Sequence, residues 1–300
     1  MSRRLRVTGW AIAVIAFGAS GVLVARLLAQ ARERVLYVSV YDSDSLQPVK
    51  DLTAEGIVIR EDGVRREVLR ITPATTPMPI AVIIDNSAAA TPNIADLRRG
   101  LTGFIKGVDG LGPVALVTVA SRPTIARDYT TDQQALLDTV NRLFAEPGSG
   151  ATLVDAISDV AKGLGRREAD RTAIVIVTTE NIDFSHLHYS EVLESIKASG
   201  AAVHAIVLVN PSGSLGTDEA RSRATVLDRG PRESGGVRTD ILTSLSFESR
   251  LRDLASILKS QYRVVYARPE SLIPPEKIDV SSAAPRRDAR ATPARGQAVK

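Results

Sequence analysis

The chain has 300 residues, 44% of them apolar and 24% charged, which suffices for one sizeable core with a small satellite and excludes a chain without a fold. The net charge is only +4, and the basic residues gather at the ends: Arg3, Arg4 and Arg6 open the chain, while Arg286, Arg287, Arg290, Arg295 and Lys300 close it. The nearly balanced interior offers no Lys/Arg stripe for phosphates, so a nucleic-acid partner is not expected. With no cysteine, zinc-thiolate sites, disulfide frameworks and thiol catalysis are all excluded, although the compartment is left open.

Residues 7–25 read VTGWAIAVIAFGASGVLVA, uncharged and preceded by three arginines. Such flanking charge keeps the N-terminus in the cytoplasm and sends the remainder of the chain outside. Two fates stay open for the segment 1–31. The apolar run exceeds the usual signal core and favours an uncleaved membrane anchor, whereas Ala29-Gln30-Ala31 has the small-x-small form of a cleavage site. Either fate places the rest in the cell envelope, anchored outside the cytoplasmic membrane or secreted to the periplasm.

Residues 35–72 alternate like strands around turns at Asp44, Pro48 and Asp62-Gly63, which predicts a small N-terminal antiparallel β unit. Thr72 to Pro79 (TPATTPMP) reads as an extended linker. The period then changes. Ile80 to Asp85 is a continuous apolar strand, followed by a helical face of Ile94, Leu97, Leu101, Phe104, Ile105 and Val108. Further strands are expected at Val114 to Ala120, Thr124 to Thr130 (a short edge strand), Thr172 to Thr179 and Ala202 to Val209. Helices fall around Leu136 to Phe144, Thr152 to Leu164 and Val192 to Ala198. Strands apolar on both faces, alternating with amphipathic helices, define an α/β, doubly wound domain with a mostly parallel central sheet flanked by helices over 78–268. Asn210 to Asp240 reads as a long polar loop, a helix at Leu251 to Leu258 and the strand QYRVVYA close the domain, and 269–300, rich in Pro, Ala and Arg, is expected to be disordered.

Ligands of an open α/β sheet bind beyond the carboxyl ends of the parallel strands. Three loops deliver oxygens to that rim: Asp85-Asn86-Ser87 after the first main strand, Gly148-Ser149-Gly150-Ala151-Thr152 before a helix, and Thr178, Thr179, Glu180, Asn181 and Asp183 after a later strand. Carboxylate and hydroxyl oxygens suit a hard cation. The plainer reading is that Asp85 caps its own turn while Ser87 and Thr152 bind loop backbone.

A strand ending D-x-S, a Gly-rich loop with Thr, and a strand ending near an acidic residue together resemble the von Willebrand factor A (VWFA) domain and its metal-ion-dependent adhesion site. The segments DLTAEGIVIREDGVRREV and KSQYRVVYARP on either side resemble those of secreted bacterial VWFA-related proteins. The resemblance implies a Rossmann-like VWA fold and a site for Mg²⁺ or Mn²⁺ formed by Asp85, Ser87, Thr152 and Glu180. It also implies a protein partner whose carboxylate completes the metal's coordination, with Asn86, Thr179 and Asn181 as contacts. The sequence departs from the family's D-x-S-x-S pattern, because Ala89 stands at the second serine and Thr179 stands where an aspartate is usual. The adhesion site is therefore degenerate.

His186 and His188 are spaced two apart without an evident third metal ligand, and His204 lies within an apolar strand. Neither a nucleophile elbow nor a phosphate-binding Gly-rich loop with lysine occurs, so no enzyme is expected. A protein-binding module outside the membrane is the first expectation; a structural scaffold of an envelope assembly, with a vestigial metal site, is the second.

Overall fold

The computed structural model describes residues 31–209, 216–269 and 273–297. The apolar segment 7–25 lies outside the described residues, among which no helix is long and apolar enough to cross a membrane.

Four strands come first: β1 (Ala31–Asp42), β2 (Ile57–Glu61), β3 (Val64–Arg66) and β4 (Val68–Pro73). The α/β domain comes next, with β5 (Ile80–Asp85), α1 (Ile94–Gly107), β6 (Val114–Val119), β7 (Pro123–Thr130), α2 (Gln133–Asn141), α3 (Leu153–Gly165) and β8 (Ala173–Thr179). It continues with α4 (Tyr189–Ser199), β9 (Ala202–Leu208), α5 (Asp218–Ser234), β10 (Arg238–Ile241) and α6 (Ser246–Lys259). The chain then adds β11 (Tyr262–Pro269), β12 (Ile278–Ser282) and β13 (Arg287–Pro293).

The six-stranded sheet has the order β10-β9-β8-β5-β6-β7, parallel throughout except for β7 against β6. Its four inner strands are apolar on both faces because both are covered. Ile80, Val82 and Ile84 face a layer made by α1, α2 and α6, whereas Ala81 and Ile83 face α3, α4 and α5. Each such side chain, once buried, contributes roughly 1.5–3 kcal/mol from the water it sheds. The helices start and stop on local signals. Asp132 Oδ1 accepts from Ala135 N at 3.0 Å to cap α2, Thr217 Oγ1 accepts from Ala220 N at 3.2 Å to cap α5, and Gly200 ends α4 in the left-handed region at φ 66°.

The remaining strands form a second unit of two facing sheets, β13-β1-β11-β4 and β12-β2-β3. Leu36, Val38, Val40, Ile57, Ile59, Val264 and Tyr266 fill the space between them. Glu61 is buried there and satisfied by Tyr266 OH at 2.8 Å, Arg66 Nε at 2.9 Å and Arg268 Nε at 3.2 Å. The α/β domain is thus inserted between β4 and β11 of the β unit.

Arg171, just before β8, joins the two parts. Its guanidinium donates to Thr76 O at 2.7 Å and Gln261 Oε1 at 2.9 Å, and lies 5.5 Å from the centre of the Tyr37 ring. Thr292 Oγ1 donates to Ser234 O at 2.9 Å, and Arg295 N to Asp170 O at 3.1 Å. Ser234 ends α5 and Asp170 precedes β8, so the β unit covers the amino ends of the parallel strands. Among the described residues, the β unit leaves the carboxyl ends open.

Three stretches differ from their sequence expectation. Residues 210–240, expected as a polar loop, contain α5 and β10; β10 is a polar edge strand whose outer face needs no apolar cover, and Arg238 pairs with Asp240 upon it at 2.7 Å. The strand at 262–269, expected in the α/β sheet, belongs instead to the β unit, because Arg263 and Arg268 would be stranded between two covered faces. The tail 269–300, expected as disordered, supplies β12 and β13, which pair with β2 and β1. Their weak alternation, Ile278 and Val280, then Ala289 and Ala291, becomes decisive once those partners present an apolar face. The small N-terminal β unit expected over 35–72 is accordingly larger and is built from both ends of the chain.

Candidate functional site

The strand order reverses between β5 and β8, where successive connections leave toward opposite edges, and it is beyond the carboxyl ends at such a point that open α/β sheets bind ligands. Asp85 closes β5 and Thr178-Thr179 close β8, so the sheet itself places them side by side.

Asp85 is 1% exposed and fully engaged. Its Oδ1 accepts from Ser87 N at 3.0 Å, and its Oδ2 accepts from Thr178 Oγ1 at 2.7 Å and Thr179 N at 3.4 Å. The turn-capping role expected of Asp85 is therefore part of the structure. Ser87 is buried, and its Oγ accepts from Asn181 Nδ2 at 3.4 Å.

A residue that no sequence pattern singled out holds this cluster together. Arg223, on the inner face of α5 and 3% exposed, donates through one terminal nitrogen to Asn181 O at 2.7 Å. The other donates to Thr178 Oγ1 at 2.7 Å and Thr179 O at 2.8 Å, and lies 4.0 Å from Asp85 Oδ2. Its Nε lies 3.7 Å from Asp183 Oδ2. Burial draws the guanidinium below its ordinary pKa, and the charges of Asp85, Asp183 and Glu180 oppose that shift. A signal was available, since Arg223, Val226, Leu227 and Gly230 share one buried helical face. An arginine on an apolar stripe needs a buried acid.

Asp183 provides one. Burial raises its pKa, against which Ser185, Arg223 and the Leu153 N–H all favour the carboxylate. Its Oδ2 accepts from Leu153 N at 3.2 Å, capping α3 from another loop, and its Oδ1 accepts from Ser185 N at 2.9 Å. Asp155, in the first turn of α3, accepts from His186 N at 3.1 Å and Leu187 N at 3.0 Å. The loop after β8 is thereby fastened to α3.

The other expected residues lie around this cluster. Thr152 turns its hydroxyl to Ala120 O at 3.3 Å, at the end of β6. Asn86 donates to Phe144 O at 3.1 Å and accepts at its own carbonyl from Glu146 N at 2.8 Å. Glu180 is half-buried at the end of β8, its N–H bonded to Leu208 O at 2.8 Å. Thus Asp85, Ser87, Thr179 and Asn181 converge through direct hydrogen bonds, while Thr152 and Asn86 are tied to neighbouring backbone. His186 is 92% exposed with Nδ1 3.3 Å from Asp155 Oδ2, and His188 Nδ1 meets Ser190 Oγ at 2.8 Å.

The donor set does not fit a divalent cation. Both Asp85 oxygens are committed to protein hydrogen bonds, and a guanidinium already supplies positive charge beside Asp85 and Asp183. Among the described residues, no three His, Cys, Asp or Glu side chains gather as a metal cluster.

Five large apolar side chains of the rim are exposed. Phe144 follows α2, Ile182 and Phe184 follow β8, and Leu242 (80% exposed) and Leu245 follow β10; all five are exposed. The Phe184 ring lies over Gly150, where a Cβ would collide with it. The Gly-rich loop thus makes room for an exposed aromatic ring.

Fold and site define a doubly wound α/β domain with a buried ionic cluster at its topological switch point and apolar loops around it. Several solved structures are similar in fold. The von Willebrand factor type A protein from Catenulispora acidiphila aligns at 12% identity over 88% of this chain and 72% of its own, with a TM-score of 0.49. The conserved hypothetical protein BatB from Bacteroides thetaiotaomicron aligns at 13% identity over 61% of this chain and 100% of its own (TM-score 0.47), and the manganese-loaded Plasmodium vivax TRAP protein at 13% over 72% and 82% (TM-score 0.45). No family model and no curated protein matches the sequence.

Proposed function

We propose that this chain is a non-enzymatic binding module, exposed outside the cytoplasmic membrane, which docks a protein partner on the rim at the carboxyl ends of its parallel strands. The observation that carries the reading is the set of exposed side chains Phe144, Ile182, Phe184, Leu242 and Leu245, all on loops at that end of the sheet. Large exposed apolar groups on neighbouring loops are the chemistry of a protein contact. A binding role is favoured over catalysis because Asp85, Asp183 and Arg223 are buried and paired with one another, out of reach of a substrate on the rim. The arginine-flanked apolar segment at residues 7–25 supports the envelope location.

A photo-crosslinking amino acid placed at Phe184 or Leu242 in cells tests the reading, with Leu69 of the β unit as the comparison. A discrete protein adduct from the rim positions alone supports it. Adducts only from Leu69 would favour the second reading, a scaffold component joined through its β unit, for which the exposed Val64, Leu69 and Ile273 speak.

A further inference from the structure

We propose that Arg223 is the resident cation of this rim: its guanidinium lies between Asp85 and Asp183 and compensates their charge, so the rim keeps its shape and binds its partner without metal. The distances are 4.0 Å to Asp85 Oδ2 and 3.7 Å to Asp183 Oδ2, and all three side chains are within 4% of full burial. A cation that merely neutralised two acids would need no further contacts. Arg223 also donates to the carbonyls of Thr179 and Asn181 and to the Thr178 hydroxyl, organising the loop after β8 as a coordinated ion organises its oxygen ligands.

An ion leaves when chelated or diluted; a guanidinium built into α5 does neither. A divalent ion brought to Asp85 would be repelled by the fixed charge 4.0 Å away and would have to displace hydrogen bonds from both carboxylate oxygens. Docking of a partner without metal rests on the function proposed above. The indifference to metal stands on the ion pairs alone, so either can fail without the other.

The test uses the full chain in detergent, with Asp85→Asn, Arg223→Met and Arg223→Lys beside it. Uptake of Mn²⁺ is read from the free-ion paramagnetic resonance signal, and thermal midpoints from circular dichroism. Wild type and Asp85→Asn are expected to take up the same Mn²⁺ at millimolar concentration, with the wild-type midpoint moving by under about 1 °C. Arg223→Met, which strands two buried acids, is expected to melt roughly 10 °C lower, and Arg223→Lys, which retains a charge, to lose less. Mn²⁺ uptake by the wild type that Asp85→Asn abolishes overturns the proposal, and that arm is readable even where neither Arg223 variant folds. An Arg223→Met at least as stable as Arg223→Lys overturns it as well.

Discussion

The Asp85 carboxylate and the Arg223 guanidinium lie 4.0 Å apart with their side chains 0% and 4% exposed, one at the end of the first parallel strand and the other on a helix formed much later in the chain. Neither charge has water to solvate it, so each depends on the other. Replacing Arg223 with Met is expected to cost about 3–5 kcal/mol by urea denaturation, because it leaves Asp85 and Asp183 uncompensated. The same replacement in an Asp85→Asn, Asp183→Asn background is expected to cost less by at least about 1 kcal/mol. Equal costs in both backgrounds would mean that lost packing, and not the ion pairs, explains the role of Arg223.

His204 sets a pH window. It lies inside β9, completely buried, where its Nδ1 accepts from Val237 N at 3.3 Å, and burial pushes its pKa from 6.5 down to about 4. The folded protein keeps it neutral while the unfolded chain protonates it below about pH 6.5. Stability is therefore whole above that pH and falls as the pH drops toward about 4, by on the order of 3 kcal/mol. The difference in unfolding free energy between wild type and His204→Gln, followed from about pH 7.5 to 4, should show a slope confined to that window. A flat difference would mean that the imidazole is protonated in the fold.

Gly235 and Gly236, between α5 and β10, admit no side chain. Gly235 sits at φ 82°, and a Cβ there would collide with the carbonyl of Ala291 in β13; one on Gly236 would collide with the carbonyl of Val203 in β9. Both obstacles are backbone atoms held in sheets. Either alanine substitution is expected to cost about 2 kcal/mol or more in thermal unfolding, whereas Gly163→Ala, with open space around its Cβ, should cost nothing measurable. A full-strength Gly236→Ala would show that β9 and β10 separate more readily than their ladder implies.

Ending the chain at residue 272 removes β12 and β13. It strips β1 of one neighbour and β2 of another, uncovers the core around Leu36, Val38 and Ile59, and deletes the bonds from Thr292 and Arg295 to the α/β domain. Such a chain is expected to be degraded or insoluble. A truncation that melts at the wild-type midpoint would return the tail to the dispensable role that its composition suggests.

Strands β5, β6, β8 and β9 were legible because each is a mostly apolar run, and a doubly covered sheet leaves no other place for such runs. The rim came with them: Asp85, Ser87, Thr179 and Asn181 do meet. What stayed hidden depends on distant partners. The face of α5 is interrupted by Arg223, whose burial makes sense only beside Asp85 and Asp183. Strand β10 is polar because it lies at an edge. Strands β12 and β13 carry small and charged residues that no local pattern raises above a coil, and the ladders to β2 and β1 decide their conformation. The apolar rim residues were visible as letters, but only the fold brings Phe144, Phe184 and Leu242 to one pole.

Strand β1 runs between β11 and β13, bonded antiparallel to both, and the α/β domain hangs from the same unit by the crossings before β5 and after α6. Tension entering at residue 31 along β1, with a partner gripping the far pole, would meet two hydrogen-bonded ladders in shear rather than one peeled open bond by bond. The α/β domain would feel that pull through the two crossings, Arg171, and the bonds from Thr292 and Arg295 to Ser234 and Asp170. Under such a pull the strength of the joint would depend on β13 as much as on β1.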